Sequence, residues 1–329
     1  MPVSKNLTRR QAVLASAVGL WSSHTLAQSS DWPNRPVKLV VGYAAGNPGD
    51  ALGRLVAARL SEALGQSVVV ENKPGQGGSL GLAQAAKAKP DGYTLTLAAT
   101  AALVVNPHLY STLGYRPQTD FTPVVMLGEA PMFLVCNAAA PFKTFAEFIA
   151  YAKANPDKLR HSSSGNGTLT HLGMELLQQR TETHMQHVPY QGSVAAMLSI
   201  ASGVTEVGMD GLVAVQPHLQ SKRVRLLATT AAQRFAQFPE TPTVAESGLP
   251  GFEMSTWIAL LGPRGMPAPI VARIETEVQR MFKDPALDQQ ARSIGVFPRN
   301  DSSAQLTSLI QREDATWARV VRTANVKAD

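Results

Sequence analysis

The chain has 329 residues, 44% hydrophobic and 6% aromatic, enough apolar material for the cores of two α/β lobes. Its formal charge of +6 does not indicate nucleic-acid binding. Lys5, Arg9 and Arg10 supply half of the excess, and the remaining basic side chains are scattered without interleaved aromatics. The single cysteine, Cys136, excludes an internal disulfide and is too far from the N-terminus to carry a lipid.

The N-terminus is organised as an export signal. Lys5, Arg9 and Arg10 form its charged part, and Gln11 to Trp21 is an apolar and small-residue run too short to remain as a membrane helix. Thr25-Leu26-Ala27 offers small side chains to a signal peptidase, so residues 1–27 are expected to be removed and the mature chain to start near Gln28 in the periplasm. The paired arginines within Thr8 to Leu14 suit a twin-arginine signal, and Sec signals carry such pairs too; both routes stay open. No later segment has the length and apolarity of a membrane helix, so a soluble mature protein is expected.

Val37 to Val41 reads as a buried strand, followed by a turn-rich loop from Gly42 to Gly49. Leu52, Leu55, Val56, Leu60 and Leu64 recur at helical spacing until Gly65. Ser67 to Glu71 is the next strand, then come a glycine-rich loop and an alanine-rich helix ending near Pro90. Tyr93 to Leu97 is a third strand. This alternation predicts a parallel, doubly wound sheet. A second series starts near Met132. It holds a helix over Phe145 to Ala154, a polar loop over Ser162 to Gly167, a helix from Leu172, and strands at Val204 to Met209 and Val224 to Ala228. Cys136 lies in the strand-like Phe133 to Cys136 and reads as a buried apolar thiol. Trp257 to Leu261 is a further strand. Asp284-Pro285 starts one later helix and Ser302 caps the last, whose Leu306, Leu309, Ile310, Trp317 and Val320 form one docking stripe. An economical arrangement makes one lobe from residues 28–134 and 256–329 and inserts 135–255 as the other. Two strand crossings, near Met132–Asn137 and Phe252–Leu261, would be the hinge.

Several stretches, taken together, resemble one family. They are Leu39 to Asp50, Val70 to Gly78, Lys89 to Leu95, Ser163 to Gly167, His187 to Ser193 and Thr241 to Gly251. In this order and spacing they are similar to the substrate-binding proteins of tripartite tricarboxylate transporters, the Bug family. The resemblance covers essentially the whole mature chain. It implies a type II periplasmic-binding-protein fold with two doubly wound lobes on a two-strand hinge, a ligand held between them, no catalysis, and membrane permease subunits as partners. A monomer is the usual form of this architecture.

A carboxylate needs hydrogen-bond donors and positive potential, and backbone amides at helix N-termini supply both. Two loops suit this role, one per lobe. The first contains Tyr43, Ala45, Gly46, Asn47 and Asp50. In relatives it reads aromatic-x-x-Gly-Gly-x-x-Asp after a proline and holds a ligand carboxylate through amides and waters. Here Asn47 replaces the second glycine and Gly42 the proline. Asn47→Gly is therefore expected to change ligand preference more than stability. Asp50 would repel an anion directly, and a role capping the helix or fixing the loop amides competes with ligand contact. The second loop offers Ser163, Asn166 and Thr168 ahead of a helix carrying His171, which either donates to the ligand or packs. Thr100, at the end of the third strand, either donates to the ligand or is a turn residue. Tyr190, Gly192 and Ser193 open another helix, with Tyr190 a wall or a contact. Asp210 either accepts from a ligand hydroxyl or amine, or is a satisfied strand-end carboxylate.

Other chemistries fail on spacing. His184 and His187 lack a third metal ligand, so neither a metal nor a cofactor is expected. Gly75 to Gly78 lacks the Lys-Ser/Thr of a phosphate loop, and no Gly-x-Ser-x-Gly elbow follows a strand. Two other outputs compete with transport: signalling to the sensor domain of a membrane histidine kinase, and an exported hydrolase.

Overall fold

The computed structural model describes residues 32–46 and 48–326; the signal-like segment and Asn47 lie outside the described residues. In chain order the strands are β1 (Val37–Val41), β2 (Val68–Asn72), β3 (Thr94–Ala99), β4 (Phe121–Asn137), β5 (Arg160–Ser163), β6 (Gln186–Pro189), β7 (Val207–Gly211), β8 (Val224–Thr229), β9 (Ser255–Pro263) and β10 (Phe297–Pro298). Their main path is β2-β1-β3-β9-β4-β7-β5-β6, with β8 and β10 also pairing with β4.

The first three strands are parallel, with Leu39 opposite both Val70 and Leu95. Val37, Leu39, Val40 and Val41 are all fully buried, as an apolar β-branched run covered on both faces must be. The helix Pro48–Leu64 covers one face with Leu52, Val56, Leu60 and Leu64, and stops at Gly65, whose φ of 66° suits a residue without a Cβ. β9 then runs antiparallel to both β3 and β4. In the second half β5, β6 and β7 are parallel to one another, while β4 pairs antiparallel with β7 and β8.

β4 joins the halves. Phe121 to Pro131 pairs with β9, and from Met132 the strand pairs with β7 and β8 instead. Thr230 staples this crossing to the return crossing. Its amide and hydroxyl both donate to the Met132 carbonyl, and the hydroxyl also bonds the Met254 carbonyl. The Met254 amide donates back to the Thr230 carbonyl. Both backbone segments therefore meet on one buried threonine.

The last helix, Ser303–Thr323, starts at a capping box in which Ser302 and Gln305 bond reciprocally. Its Leu306, Leu309, Ile310, Trp317 and Val320 are buried as one stripe, in a core cluster that also holds Leu172 and Leu177 of the second lobe. Three features depart from the periodicity. β4 begins at Phe121, well before Met132; the alanine-rich helix is only Ser79–Ala85; and a π-helical turn, Ala101–Val105, follows β3. The long strand escapes because Pro123, Gly128 and Pro131 interrupt its apolar pattern, and β4 accommodates the first two with register shifts against β9.

Candidate functional site

A cavity of about 510 Å³ lies between the two halves. Tyr43, Gln76, Gly77, Ala99, Ala101, Asn106, Leu109 and Tyr110 line it from the first lobe, and Ala130, Met132 and Thr256 from the crossing strands. The second lobe contributes Ser164, Asn166 to Thr170, Ser193, Asp210 and Gly211. Among the described residues no lysine, arginine or histidine lines the cavity, and Asp210 is the lone carboxylate there.

The second-lobe wall follows from topology. The parallel strands β5, β6 and β7 end at the cavity, and the helix after each one begins there. Thr168 caps the helix Leu169–Thr181 by accepting from the His171 amide. Ser193 opens the helix Ser193–Ala201, and Gly211 precedes Leu212–Gln220. Three helix N-termini thus point positive dipole ends at one space, each worth roughly 0.3–1 kcal/mol toward an anion and up to about 2 kcal/mol when partly buried.

On the opposite wall the Gly75 to Gly78 loop is held by Asn106, whose Nδ2 donates to the Gln76 carbonyl at 3.0 Å and to Ser79 Oγ at 2.8 Å. Gly77 sits at φ 61°. A Cβ at Gly42 would lie 2.6 Å from Gly78 Cα, so this backbone approach leaves no room for a side chain at position 42.

Residues 52–326 match the family model described as the tripartite tricarboxylate transporter family receptor, TctC. The chain belongs to this receptor family. The BugT protein of Bordetella pertussis is 32% identical, over 98% of this chain and 99% of its own. The Rhodopseudomonas palustris receptor MatC, solved with bound malate, is 32% identical, with a TM-score of 0.69 over 88% of this chain and 100% of that one. The R. palustris protein Rpa4515, solved with adipate, is 36% identical, with a TM-score of 0.74 over 90% and 99% of the two chains. The fold is accordingly the mixed α/β periplasmic-binding-protein fold, and the protein is a binding protein and not an enzyme. Among the described residues no group of three or more His, Cys, Asp or Glu is placed to hold a metal, and no helix is long and apolar enough to cross a membrane.

Of the residues singled out in the receptor's sequence, Tyr43, Asn166, Thr168, Ser193 and Asp210 line the cavity. Others do not reach it. The Gly46 amide donates to Asp50 Oδ2 at 2.9 Å, so it is already engaged; Ala45 beside it is exposed, and Asn47 lies outside the described residues. Asp50 is 2% exposed and bonded to Arg54 and Asn72, which gives it a loop-fixing place. Thr100 turns its side chain into the sheet. Its fully buried hydroxyl bonds the Trp257 amide at 2.8 Å and the Trp257 carbonyl at 3.2 Å, and its neighbours Ala99 and Ala101 face the cavity instead.

Ser163 and His171 turn to partners within the lobe, which for His171 is the packing alternative. Ser163 Oγ bonds His187 Nε2 at 2.7 Å, and His171 Nδ1 accepts the Gly167 amide at 3.1 Å. Behind the loop the His171 and His187 rings stack 3.6 Å apart, with His161 beyond at 4.9 Å from His187. The second loop therefore leans on imidazoles that support it from within the lobe. Tyr190 and Gly192 give their amides to the Ser163 and Ser164 carbonyls and do not line the cavity.

Sequence reasoning missed Gln76, Asn106, Ser164, Thr170 and Thr256. Thr170 carries a usable signal, a polar side chain in the first turn of the helix, where it bonds the Ser164 amide and both the Ser164 and Thr168 hydroxyls.

Proposed function

We propose that the protein captures one small organic carboxylate between its two lobes and delivers it to the membrane permease of a tripartite tricarboxylate transporter. The observation that carries this reading is the convergence of three helix N-termini on a cavity that no basic side chain lines among the described residues. An anion is stabilised there by amide dipoles and hydroxyls, as backbone anion sites in general are. The adipate and malate held by two relatives of similar size support an aliphatic acid. The volume of about 510 Å³ suits such a ligand with bridging waters.

Residues 1–27 direct the chain out of the cytoplasm in this reading, with cleavage after Ala27. Lobe closure would turn about the Met132 and Met254 crossings, and it is favoured only as far as the ligand touches both lobes. A thermal-shift screen of the purified receptor with mono-, di- and tricarboxylates, aromatic acids and amides tests the central claim. A carboxylate that raises the midpoint in a concentration-dependent way supports it. Shifts by amides alone would replace the carboxylate in this reading, and shifts by none would refute it.

A further inference from the structure

Asp210 and Asp50 are both buried carboxylates, yet they are built differently. Asp50 takes hydrogen bonds from a backbone amide, a guanidinium and a side-chain amide. Asp210, at the end of β7, is 7% exposed and accepts one hydrogen bond of ordinary geometry, from the Gly211 amide to Oδ1 at 2.8 Å. Its Oδ2 is enclosed and has no hydrogen-bond partner among the described residues. Burial lifts its pKa to about 6, an effect the nearby Ser193 hydroxyl and the Gly211 amide only partly offset. A carboxylate kept for structure has its lone pairs satisfied, because an unmet buried acceptor is costly. This one is left open beside a cavity.

The surroundings sharpen the point. With no cation in the lining among the described residues, a ligand made only of carboxylates would meet Asp210 with like charge. A ligand hydroxyl or ammonium would instead supply the donor that Oδ2 lacks. Ser193, first in its helix, lines the same space with its hydroxyl turned to Asp210. No side chain crowds the Gly211 side: a Cβ built there meets nothing within 4 Å.

We propose that Asp210 is a specificity determinant that accepts from a donor on the ligand, so that the receptor prefers a hydroxy- or amino-substituted carboxylate over the bare diacid. This rests on the carboxylate-capture reading above.

Titration calorimetry of the purified receptor with two matched series tests it: succinate, malate and aspartate, then adipate, 2-hydroxyadipate and 2-aminoadipate. In at least one series the substituted acid is expected to bind roughly tenfold or more tightly than the bare one, equivalent to about 1.4 kcal/mol. Asp210→Asn and Asp210→Ala should shrink that ratio below about threefold. A structural role is checked separately by the thermal midpoint without ligand. Asp210→Asn keeps the acceptor for Gly211 and removes an open charge, so its midpoint should equal or exceed the wild type's. Equal binding of bare and substituted acids, a preference that survives both substitutions, or a clear fall in the Asp210→Asn midpoint overturns the proposal and leaves carboxylate capture intact. Binding of none of the six acids overturns this proposal, and the capture reading falls with it only if the wider carboxylate screen also finds no ligand.

Discussion

The Gly46 amide donates to Asp50 Oδ2 across four residues, at 2.9 Å. Arg54 Nε reaches the same oxygen at 3.0 Å, and Asn72 Nδ2 reaches Oδ1 at 2.7 Å while also donating to the Tyr43 carbonyl at 2.9 Å. One carboxylate therefore ties both ends of the first-lobe loop to the end of β2, and through Asn72 it steadies Tyr43 at the cavity wall. Burial opposes ionisation of Asp50, but hydrogen bonds from Arg54, Asn72 and Gly46 outweigh it and hold the pKa below the ordinary carboxylate range.

Replacing Asp50 by alanine should destabilise the receptor by about 2–3 kcal/mol, because Asn72 and the Gly46 amide lose an ionised acceptor. Thermal unfolding reads this directly. Ligand affinity should fall as well, as Tyr43 is released. An Asp50→Ala variant with wild-type midpoint and affinity would show that the loop holds its shape without this carboxylate.

Thr100 calls for the opposite pattern. Its hydroxyl is bonded to the Trp257 amide and carbonyl deep in the sheet, away from the cavity. Thr100→Val keeps the shape and removes the hydroxyl, and should cost about 1–3 kcal/mol in urea unfolding. Thr100→Ser should recover most of it. The dissociation constant of whichever acid binds should change less than about threefold. A large affinity loss without a stability loss would return Thr100 to the ligand.

These contrasts show what was legible in the sequence. The strand Val37–Val41 and the helix Phe145–Ala154 follow from periodicity, since their apolar faces are set by neighbours close in the chain. The two loops follow from their glycines and polar residues. Which side chain of a loop turns toward the cavity depends on distant partners. Ser163 turns inward because it bonds His187 on the adjacent strand. Asn106 reaches the wall because the Gly75 to Gly78 loop is folded against it, and no local pattern encodes that meeting. Thr256 and Ala130 line the cavity only because β4 and β9 pair where the halves join.

Cys136 should be inert. The thiol is completely buried in β4, and burial lifts its pKa to about 11 despite the opposing effect of Arg225. Iodoacetamide at pH 8 should leave the native protein unlabelled over an hour and label it fully in concentrated urea, as mass spectrometry would show. Rapid native labelling would mean that the β4 crossing opens readily.

The stacked imidazoles predict an acid weakness in the second lobe. Burial, reinforced by His171 and His161, depresses the His187 pKa to about 3, and burial likewise lowers that of His161. An unfolded histidine titrates near 6.5, so between about pH 6.5 and 3 the unfolded chain binds more protons. The stability due to neutral His187 is complete above that window and is lost as pH falls through it. Asp210 and Glu313 act with the opposite sign. Burial raises them to about 6 and about 7, so the native state gains protons first and gains stability on mild acidification. The net slope of the wild type hides the histidine contribution, and a difference between variants isolates it. His187→Gln removes the titrating ring and keeps an acceptor near Ser163. Between pH 7 and 5 the wild type should lose on the order of 1 kcal/mol relative to this variant, after allowing for the ring's partial exposure. Urea unfolding at the two pH values gives that difference. Parallel pH profiles for the two proteins would mean that His187 is already free to take up its proton in the folded lobe.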